Sequence, residues 1–276
     1  MKIAIFLASA LLALPSPGLA ADAVPGSGIA SVGRDDAQDY RAIYRSLTAQ
    51  HAASVVTVKF VMSVTASGKE DRIEDRTQAL LVSENGLLLV PDRSVSVDFR
   101  TFMAAGQSPG SAPVAKSSEF RVRLAGSEEW LPADLVTRDT QLGLAWLRLR
   151  TPPPGLRFVD LDKGIRAEPG MTFFSLLRTS DEWGGVPVFR PGFIMGETRI
   201  PKTLLLVDGV PGMAFSAEGQ PMGYVDVDFG RMMRSRGASN GLGLDMADIA
   251  LQMTPIAKVA AATHQAENLP SMVQPK

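Results

Sequence analysis

The sequence has few of the side chains that most often carry enzyme chemistry. Its 276 residues include no cysteine and two histidines, His51 and His264. Without cysteine the chain forms no disulfide and has no thiol nucleophile, and two distant histidines do not make a zinc centre. Common hydrolase, metalloprotease and phosphate-loop motifs are also missing. The sequence therefore predicts no metal and no cofactor.

The chain also lacks an excess of charge of either sign. Its 28 basic and 29 acidic residues leave a formal net charge of −1. Such a balance gives no global field that attracts phosphate backbones or anionic membranes. We therefore expect no nucleic-acid partner.

One long apolar run is present, at the start of the chain. Lys2 precedes an apolar stretch from Ile3 to Leu14, and Pro15, Pro17 and Gly18 follow it. A membrane anchor is the alternative, but about 12 apolar residues fall short of the roughly 20 that span a bilayer. Residues 1–23 are therefore predicted to be a cleaved signal peptide. The mature protein is expected to be periplasmic or secreted, without a membrane span.

The remaining sequence divides by its periodicity. Residues 24–52 are predicted to be a flexible leader and an amphipathic helix, because Tyr40, Ile43, Tyr44 and Leu47 recur at helical spacing. A first β-rich unit covers 53–150, a proline-rich linker covers 151–156, and a second β unit with a C-terminal helix covers 157–263. Residues 264–276 are predicted to be a disordered tail.

The expected strands are short and are separated by Gly, Asn, Asp and Ser turns. Asn85-Gly86 between two apolar runs is the strongest hairpin signal. The expected strand runs are 54–65, 78–90, 120–124, 131–136, 142–149, 171–177, 186–196, 203–207, 213–215, 222–227 and 242–244. Helical spacing returns over 246–262, with Thr254 as the expected cap and Pro255 in the first turn. The segment 98–118 is predicted to be a long loop, either functional or disordered.

This pattern favours an all-β fold of two packed six-stranded antiparallel barrels with flanking N- and C-terminal helices. A single large sandwich fits the strand pattern almost as well. A family resemblance decides between them. Gly86 to Val95, Arg138 to Leu147 and Asp208 to Tyr224 resemble, in order and spacing, the three catalytic segments of trypsin-like proteases of the bacterial HtrA-like branch. Weaker matches at 47–58 and 237–253 extend the resemblance from about Leu47 to Ala260, and no PDZ module is expected after it.

The resemblance implies a degenerate catalytic triad. Laid on the family pattern, the histidine position falls on Arg93, the aspartate position on Gly143 and the serine position on Val210. An arginine has no lone pair to accept a proton, and valine has no nucleophilic atom. Catalysis by this triad is therefore expected to be lost.

The loop that forms the family's oxyanion hole is altered too. The resemblance places it at Asp208, Gly209, Val210, Pro211 and Gly212. A carboxylate at Asp208 would repel an oxyanion, and Pro211 lacks an amide proton. This loop is therefore not expected to take the shape it has in an active protease.

Two candidate binding features come after this loop. Asp226 and Asp228 lie on one strand face where the family's specificity pocket is walled, so they would favour a basic ligand; a solvated strand edge is the alternative. Arg231, Arg234 and Arg236 alternate with Met232 and Met233 in an adaptable basic loop, or in a plain surface turn.

Three functions are compatible with these residues. The favoured hypothesis is an exported pseudoprotease that binds a polypeptide or a partner protein. The second is an active serine-type endopeptidase with a rearranged site, for which Ser216 and Ser94 are the nearest hydroxyls. The third is a structural subunit that forms homo- or hetero-oligomers through its N-terminal segment, with Tyr40 and Tyr44 in the contact.

Overall fold

A computed structural model describes residues 35–66, 69–98, 114–199, 203–227 and 251–271. Two α-helices and thirteen β-strands lie in this part of the chain. The predicted signal peptide, the leader before residue 35, the expected run at 242–244 and the basic loop at 231–236 lie outside the described residues. Neither of the described helices is long and apolar enough to cross a membrane.

The first seven strands form the first barrel and an appended edge strand. They are β1 (Val55–Ala66), β2 (Lys69–Leu81), β3 (Leu87–Pro91), β4 (Ser96–Asp98), β5 (Val114–Arg123), β6 (Trp130–Asp139) and β7 (Leu144–Leu149). The sheet order is β1-β2-β3-β7-β6-β5-β4, and pairing of β1 with β5 closes six of these strands into a ring. The expected hairpin turn joins β2 to β3, with Gly86 at a φ of 73°.

The second barrel is a closed antiparallel ring of six strands. They are β8 (Thr172–Arg178), β9 (Pro187–Thr198), β10 (Leu204–Asp208), β11 (Gly212–Phe215), β12 (Pro221–Asp226) and β13 (Leu251–Pro255). The ring order is β10-β13-β12-β11-β8-β9. The expected all-β fold of two six-stranded barrels is thus confirmed, and the alternative of a single sandwich is wrong because both sheets close on themselves.

The last strand corrects a prediction made from periodicity. Residues 246–262 have helical spacing, but residues 251–255 form β13, which fills the gap between β10 and β12. Met253 lies opposite Leu205 on one side and Val225 on the other. The helix begins only at Ile256, with Pro255 at its N-cap, so Thr254 lies in the strand instead of capping the helix. Pairing on both edges stabilises a strand that local spacing does not reveal.

Alternation along the strands divides the apolar side chains between three cores. On β3, Leu88 and Val90 point into the first barrel, whereas Leu87 and Leu89 point toward the second barrel. A separate core that includes Phe173, Ile194 and Val225 fills the second barrel. The two barrels therefore share an interface core in addition to their own interiors, and this explains the nearly continuous apolar runs on the central strands.

Both helices pack against this shared core. Helix α1 (Asp35–His51) inserts Leu47, which is fully buried. Helix α2 (Ile256–Glu267) buries Ile256 and Val259 in the same cluster. The indole Nε1 of Trp146 on β7 donates to Thr263 Oγ1 of α2 at 3.0 Å, so the C-terminal helix reaches across to the first barrel.

Two predicted boundaries differ from the structure. Helix α2 ends at Glu267 and so includes the first four residues of the predicted tail, 264–267. Arg148 holds this end by donating to the carbonyls of Ala266, Glu267 and Leu269. The connection between barrels runs from 150 to 171, well past the predicted linker at 151–156. It includes the 3-10 turn Leu161–Lys163, and Val159 in it is buried and donates its amide to Leu81.

Candidate functional site

A cleft of about 690 Å³ lies between the two barrels. Strands β1, β2 and β3 provide one wall, and β8, β11 and β12 provide the other. Much of its surface is apolar, including Leu80 and Leu89 from the first barrel and Leu176 and Met213 from the second. Arg93, Pro211 and Gly212 line the same cleft, so two of the three protease-like segments meet there.

Arg93 stands in a 3-10 turn (Asp92–Ser94) directly after β3. The turn is anchored by Asp92, whose carboxylate accepts two hydrogen bonds from the Arg138 guanidinium at 2.7 and 2.8 Å. Arg93 Nη1 donates to Oδ1 of Asp226 at the end of β12. The position that the family pattern assigns to histidine thus holds one half of an ion pair that joins the two barrels.

Gly143 lies next to this ion pair, in the turn between β6 and β7. Its carbonyl accepts a hydrogen bond from the Asp92 amide at 2.8 Å, which ties it to the turn that carries Arg93. Its φ of 70° favours glycine, and a β-carbon placed there would stand 3.3 Å from Asp226 Oδ2. A side chain at 143 would therefore begin in contact with the carboxylate of Asp226.

Asp226 is consequently placed differently from the sequence hypothesis. It was expected to wall a pocket for a basic ligand, but its carboxylate is paired with the protein's own Arg93 and is 23% exposed. Asp228, the second residue of that hypothesis, lies outside the described residues. Pairing of residues 133 positions apart depends on how the barrels dock, which no local sequence pattern reveals.

The ion pair is suited to holding charge and not to moving protons. A guanidinium stays protonated at physiological pH and offers no acceptor, so Arg93 cannot take a proton from a nucleophile as a histidine would. Tyr224 lies on the same strand as Asp226, and burial raises the pKa of its phenol well above the usual range, with the Asp226 charge adding to the effect. The hydroxyl of Tyr224 therefore stays protonated at physiological pH.

The loop that carries Val210 is shaped by close packing. Gly209 lies against the ring of Phe173, where a β-carbon would come within 2.8 Å, and the half-buried Val210 accepts a hydrogen bond from Ser175 Oγ through its carbonyl at 3.1 Å. Asp208 is exposed at the end of β10. Gly212 has a φ of 136° and opens β11 opposite Val225. Pro211, between them, contributes no amide to the cleft.

The alternative nucleophiles form no hydrogen bond with a base in the described chain. Ser216 Oγ accepts hydrogen bonds from the amides of Glu218 and Gln220 at 3.2 and 3.3 Å, as expected for a tight turn. Ser94 is buried in the 3-10 turn. In the part of the chain that the structure describes, neither hydroxyl shares a hydrogen bond with a histidine or a lysine. An active serine site at either position therefore has no geometric support.

Both histidines lie outside the lining of the cleft. His51 stacks on Phe215 with 4.2 Å between ring centroids, and its Nε2 donates to the Gly219 carbonyl at 2.8 Å. Burial lowers the pKa of His51. His264 Nε2 bonds to Asp162 Oδ1 at 2.8 Å, and this bond raises the pKa of His264. Among the described residues, no group of three or more His, Asp or Glu side chains is arranged to hold a metal ion.

Gln78 and Arg178, which the sequence analysis did not identify, join the two walls of the cleft. The Gln78 amide bonds to both backbone groups of Arg178, so it joins β2 of one barrel to β8 of the other. The Arg178 guanidinium donates to the carbonyls of Val55, Gly185 and Ala52. Burial lowers the pKa of Arg178. In the sequence, the only indication of a role for Arg178 is its position at the end of the mostly apolar run TFFSLLR.

Tyr40 and Tyr44, the residues of the oligomer hypothesis, contact the second barrel of the same chain. Tyr44 donates its hydroxyl to the Pro187 carbonyl at 3.0 Å and contacts Phe189 edge-on. Tyr40 makes a similar edge contact with Phe174. Both rings therefore pack α1 against the second barrel of the same chain, although each remains more than 40% exposed.

Comparison with solved structures identifies the fold. The Rv3671c protease from M. tuberculosis in its active form matches with a TM-score of 0.54 and 15% identity, over 84% of this chain and 88% of that one. The HtrA-type protease AlgW with a decapeptide matches with a TM-score of 0.50 and 14% identity, over 81% of this chain. The chain spans 62% to 66% of the length of the AlgW chains it matches. No protein-family model and no curated protein matches the sequence.

The two closed barrels and the cleft between them are thus those of the trypsin-like protease fold. The structural neighbours include HtrA-type proteases, as the sequence resemblance implied. Identities of 14% to 15% show the fold alone, so activity has to be argued from the site.

Proposed function

We propose that this protein is an exported trypsin-like pseudoprotease that binds an extended polypeptide in the cleft between its barrels. The observation that carries the proposal is the Arg93–Asp226 ion pair beside Gly143. Its Arg93 lines the cleft in which a protease needs an imidazole and its orienting carboxylate. The export part of the proposal depends on the signal-like N-terminal sequence alone.

Loss of the triad removes the chemistry but not the cleft. Proteases of this fold need a hydroxyl nucleophile, a base and two oxyanion donors, and each residue at those positions here is unsuited to its task. The cleft nevertheless keeps an apolar floor and a volume of about 690 Å³, within the range of ligand-binding sites.

Strand β2 offers an edge for the polypeptide. It pairs with β1 along its whole length but with β3 only at Leu80 and Leu81. From Arg76 to Ala79 its other edge borders the cleft and has no strand partner in the described chain. An extended peptide can add to such an edge through backbone hydrogen bonds, while its side chains enter the apolar part of the cleft.

The catalytic half of the proposal is tested with a serine-directed fluorophosphonate probe and labelled casein. We expect no labelling and no cleavage above a buffer control. Labelling that maps to Ser216 or Ser94 by mass spectrometry, and that disappears in Ser216→Ala or Ser94→Ala, would establish the active-peptidase alternative instead.

The binding half is tested with a fluorescein-labelled neutral decapeptide of alternating serine and valine that ends in three glutamines. Thr57 of β1 lines the cleft directly opposite Gln78 of β2. Thr57→Trp places an indole in the cleft beside the β2 edge, and we expect it to abolish the rise in anisotropy that the wild type shows. Thr65→Trp makes the same change at an exposed position of β1 away from the cleft and should leave binding unchanged. Absence of binding by the wild type, or equal loss in both variants, would refute a cleft site.

A further inference from the structure

Four cations surround one tryptophan on the outer face of the first barrel. Lys59 on β1 lies directly opposite Arg76 on β2 and Arg121 on β5. Arg123 follows two positions along β5, on the same face, opposite Trp130. Lys59, Arg76, Arg121, Arg123 and Trp130 are called the Trp130 patch below.

Trp130 itself is in contact with three of these cations. The distances to its ring are 4.7 Å from Lys59 Nζ, 5.0 Å from Arg123 Cζ and 5.7 Å from Arg76 Cζ. Each distance lies within the range of a cation–π interaction. Like charges directly opposite on neighbouring strands destabilise a sheet, so this concentration has an energetic cost in the free protein.

One carboxylate, from the other barrel, enters the patch. Asp181 accepts a hydrogen bond from Arg76 on one oxygen and from Arg123 on the other. In the described chain no carboxylate pairs with Lys59 or Arg121, so the patch keeps a positive charge after Asp181 is counted. Asp181 therefore shows that these two arginines bind a carboxylate, and it shows the position that a carboxylate takes between them.

The patch adjoins the cleft. Arg76 and Asp181 both line it, so a polypeptide that leaves the cleft on this side reaches the Trp130 patch. Asp181 lies in the loop 179–186 between β8 and β9, next to Trp183, which is 76% exposed. Gly184 and Gly185 in this loop both have positive φ.

We propose that the Trp130 patch binds acidic side chains of the polypeptide that occupies the cleft, with Asp181 holding the place of a ligand carboxylate until it is displaced. The inference rests on the proposed function and adds the chemistry of the partner. Arginine pairs receive carboxylates with two directed hydrogen bonds, and the indole packs against the methylene groups of glutamate. A polypeptide is favoured over a polyanion because the patch is small, continues the cleft and already holds a carboxylate.

The test compares two decapeptides that differ only in their last three residues, glutamate in one and glutamine in the other. We expect the glutamate peptide to bind the wild type about fivefold tighter at 150 mM salt, the size expected of two partly exposed ion pairs. Arg123→Gln should abolish this preference. Arg150→Gln removes an exposed arginine of the same barrel that pairs with Asp134 and should leave the preference unchanged.

A second pair of variants tests the inference through a gain of affinity for the glutamate peptide instead of a loss. Asp181→Asn removes the internal carboxylate and should tighten binding of the glutamate peptide, whereas Asp134→Asn, with the same change in net charge, should not. Because a gain of binding requires a folded protein, this result does not depend on whether Arg123→Gln folds. Equal effects of Asp181→Asn and Asp134→Asn would overturn the inference.

The remaining outcomes separate this inference from the proposed function. If both peptides bind equally and Thr57→Trp blocks both, the cleft site stands and the acidic preference is wrong. If neither peptide binds, the proposed function fails. If a ten-nucleotide single strand or phosphatidylglycerol vesicles bind in an Arg123-dependent way while the glutamate peptide does not, the patch recognises another class of partner and this inference is overturned.

Discussion

At the scale of single residues, the most informative position is Gly143. It combines a backbone conformation that favours glycine with the carboxylate of Asp226 beside the missing side chain. An aspartate at 143 would bring a second carboxylate against that of Asp226. The position of Asp226 in its ion pair with Arg93 thus requires a small residue without negative charge at 143.

This dependence can be measured against a matched glycine. Gly126 has a φ of 75°, close to that of Gly143, and open space around it. We expect Gly126→Asp and Gly143→Asn each to lower the free energy of unfolding by about 1 kcal/mol, the cost of the left-handed backbone. Gly143→Asp should cost roughly 1–2 kcal/mol more through repulsion of Asp226.

Urea denaturation at pH 7 gives all three values. If Gly143→Asp is no more destabilising than Gly126→Asp, Asp226 does not stand beside Gly143.

At the scale of elements, the C-terminal helix depends on the first barrel for its end. Arg148 on β7 donates to three carbonyls at the end of α2, at 2.8, 3.2 and 3.0 Å. The last carbonyls of a helix have no partner within it, and a cation near them is favourable.

Arg148→Met keeps an unbranched stem about as long as the aliphatic part of arginine and removes the donors. We expect it to destabilise the protein by about 1–2 kcal/mol and to increase amide hydrogen exchange in residues 264–269. Arg150→Met removes an exposed ion pair with Asp134 on the same barrel and should cost less than Arg148→Met, because an exposed ion pair contributes little to stability. An equal effect of the two substitutions on the exchange of α2 would contradict the capping role.

At the scale of the whole molecule, the two histidines should make stability vary with pH in opposite directions. Burial lowers the pKa of His51 below its ordinary value of 6.5. Its contribution is therefore present above that value and is lost as the pH falls. The bond to Asp162 raises the pKa of His264, so its contribution is present below 6.5 and is lost as the pH rises through the raised value.

Single variants should separate the two effects. We expect His51→Gln to flatten the decline of unfolding free energy between pH 7 and pH 5, and His264→Gln to flatten the decline between pH 6 and pH 8. Urea denaturation at unit intervals of pH measures both. The assignment would be wrong if both substitutions flattened the same side of the profile.

The sequence allowed much of the fold to be predicted and less of the site. Apolar alternation and turn residues located α1 and most strands, because these signals are local. Strand β13 was missed because its pairing with β10 and β12 overrides helical spacing. The eight exposed residues Lys69 to Arg76 of β2 were missed as well, because their charges hide the strand pattern.

The candidate site shows the same division. Family resemblance singled out Arg93, Gly143 and Pro211 near the cleft. It also predicted that Asp226 binds a basic ligand, whereas Asp226 pairs with Arg93 of the same chain. The partners Arg93 and Asp226, like Gln78 and Arg178, come from different barrels. Such contacts depend on the docking of two barrels, and no spacing within one segment encodes them.

Under the proposed function, the Arg93–Asp226 ion pair also limits the substitutions that could build a catalytic triad in this cleft. Aspartate at 143 before any change at 226 sets two carboxylates together, and a change at 226 first removes a bond that joins the barrels. Histidine at 93 gains nothing while 210 is valine and 211 is proline. Under the proposed function, each of these steps taken alone lowers stability or leaves the triad incomplete, so selection for proteolysis would have no favourable first substitution.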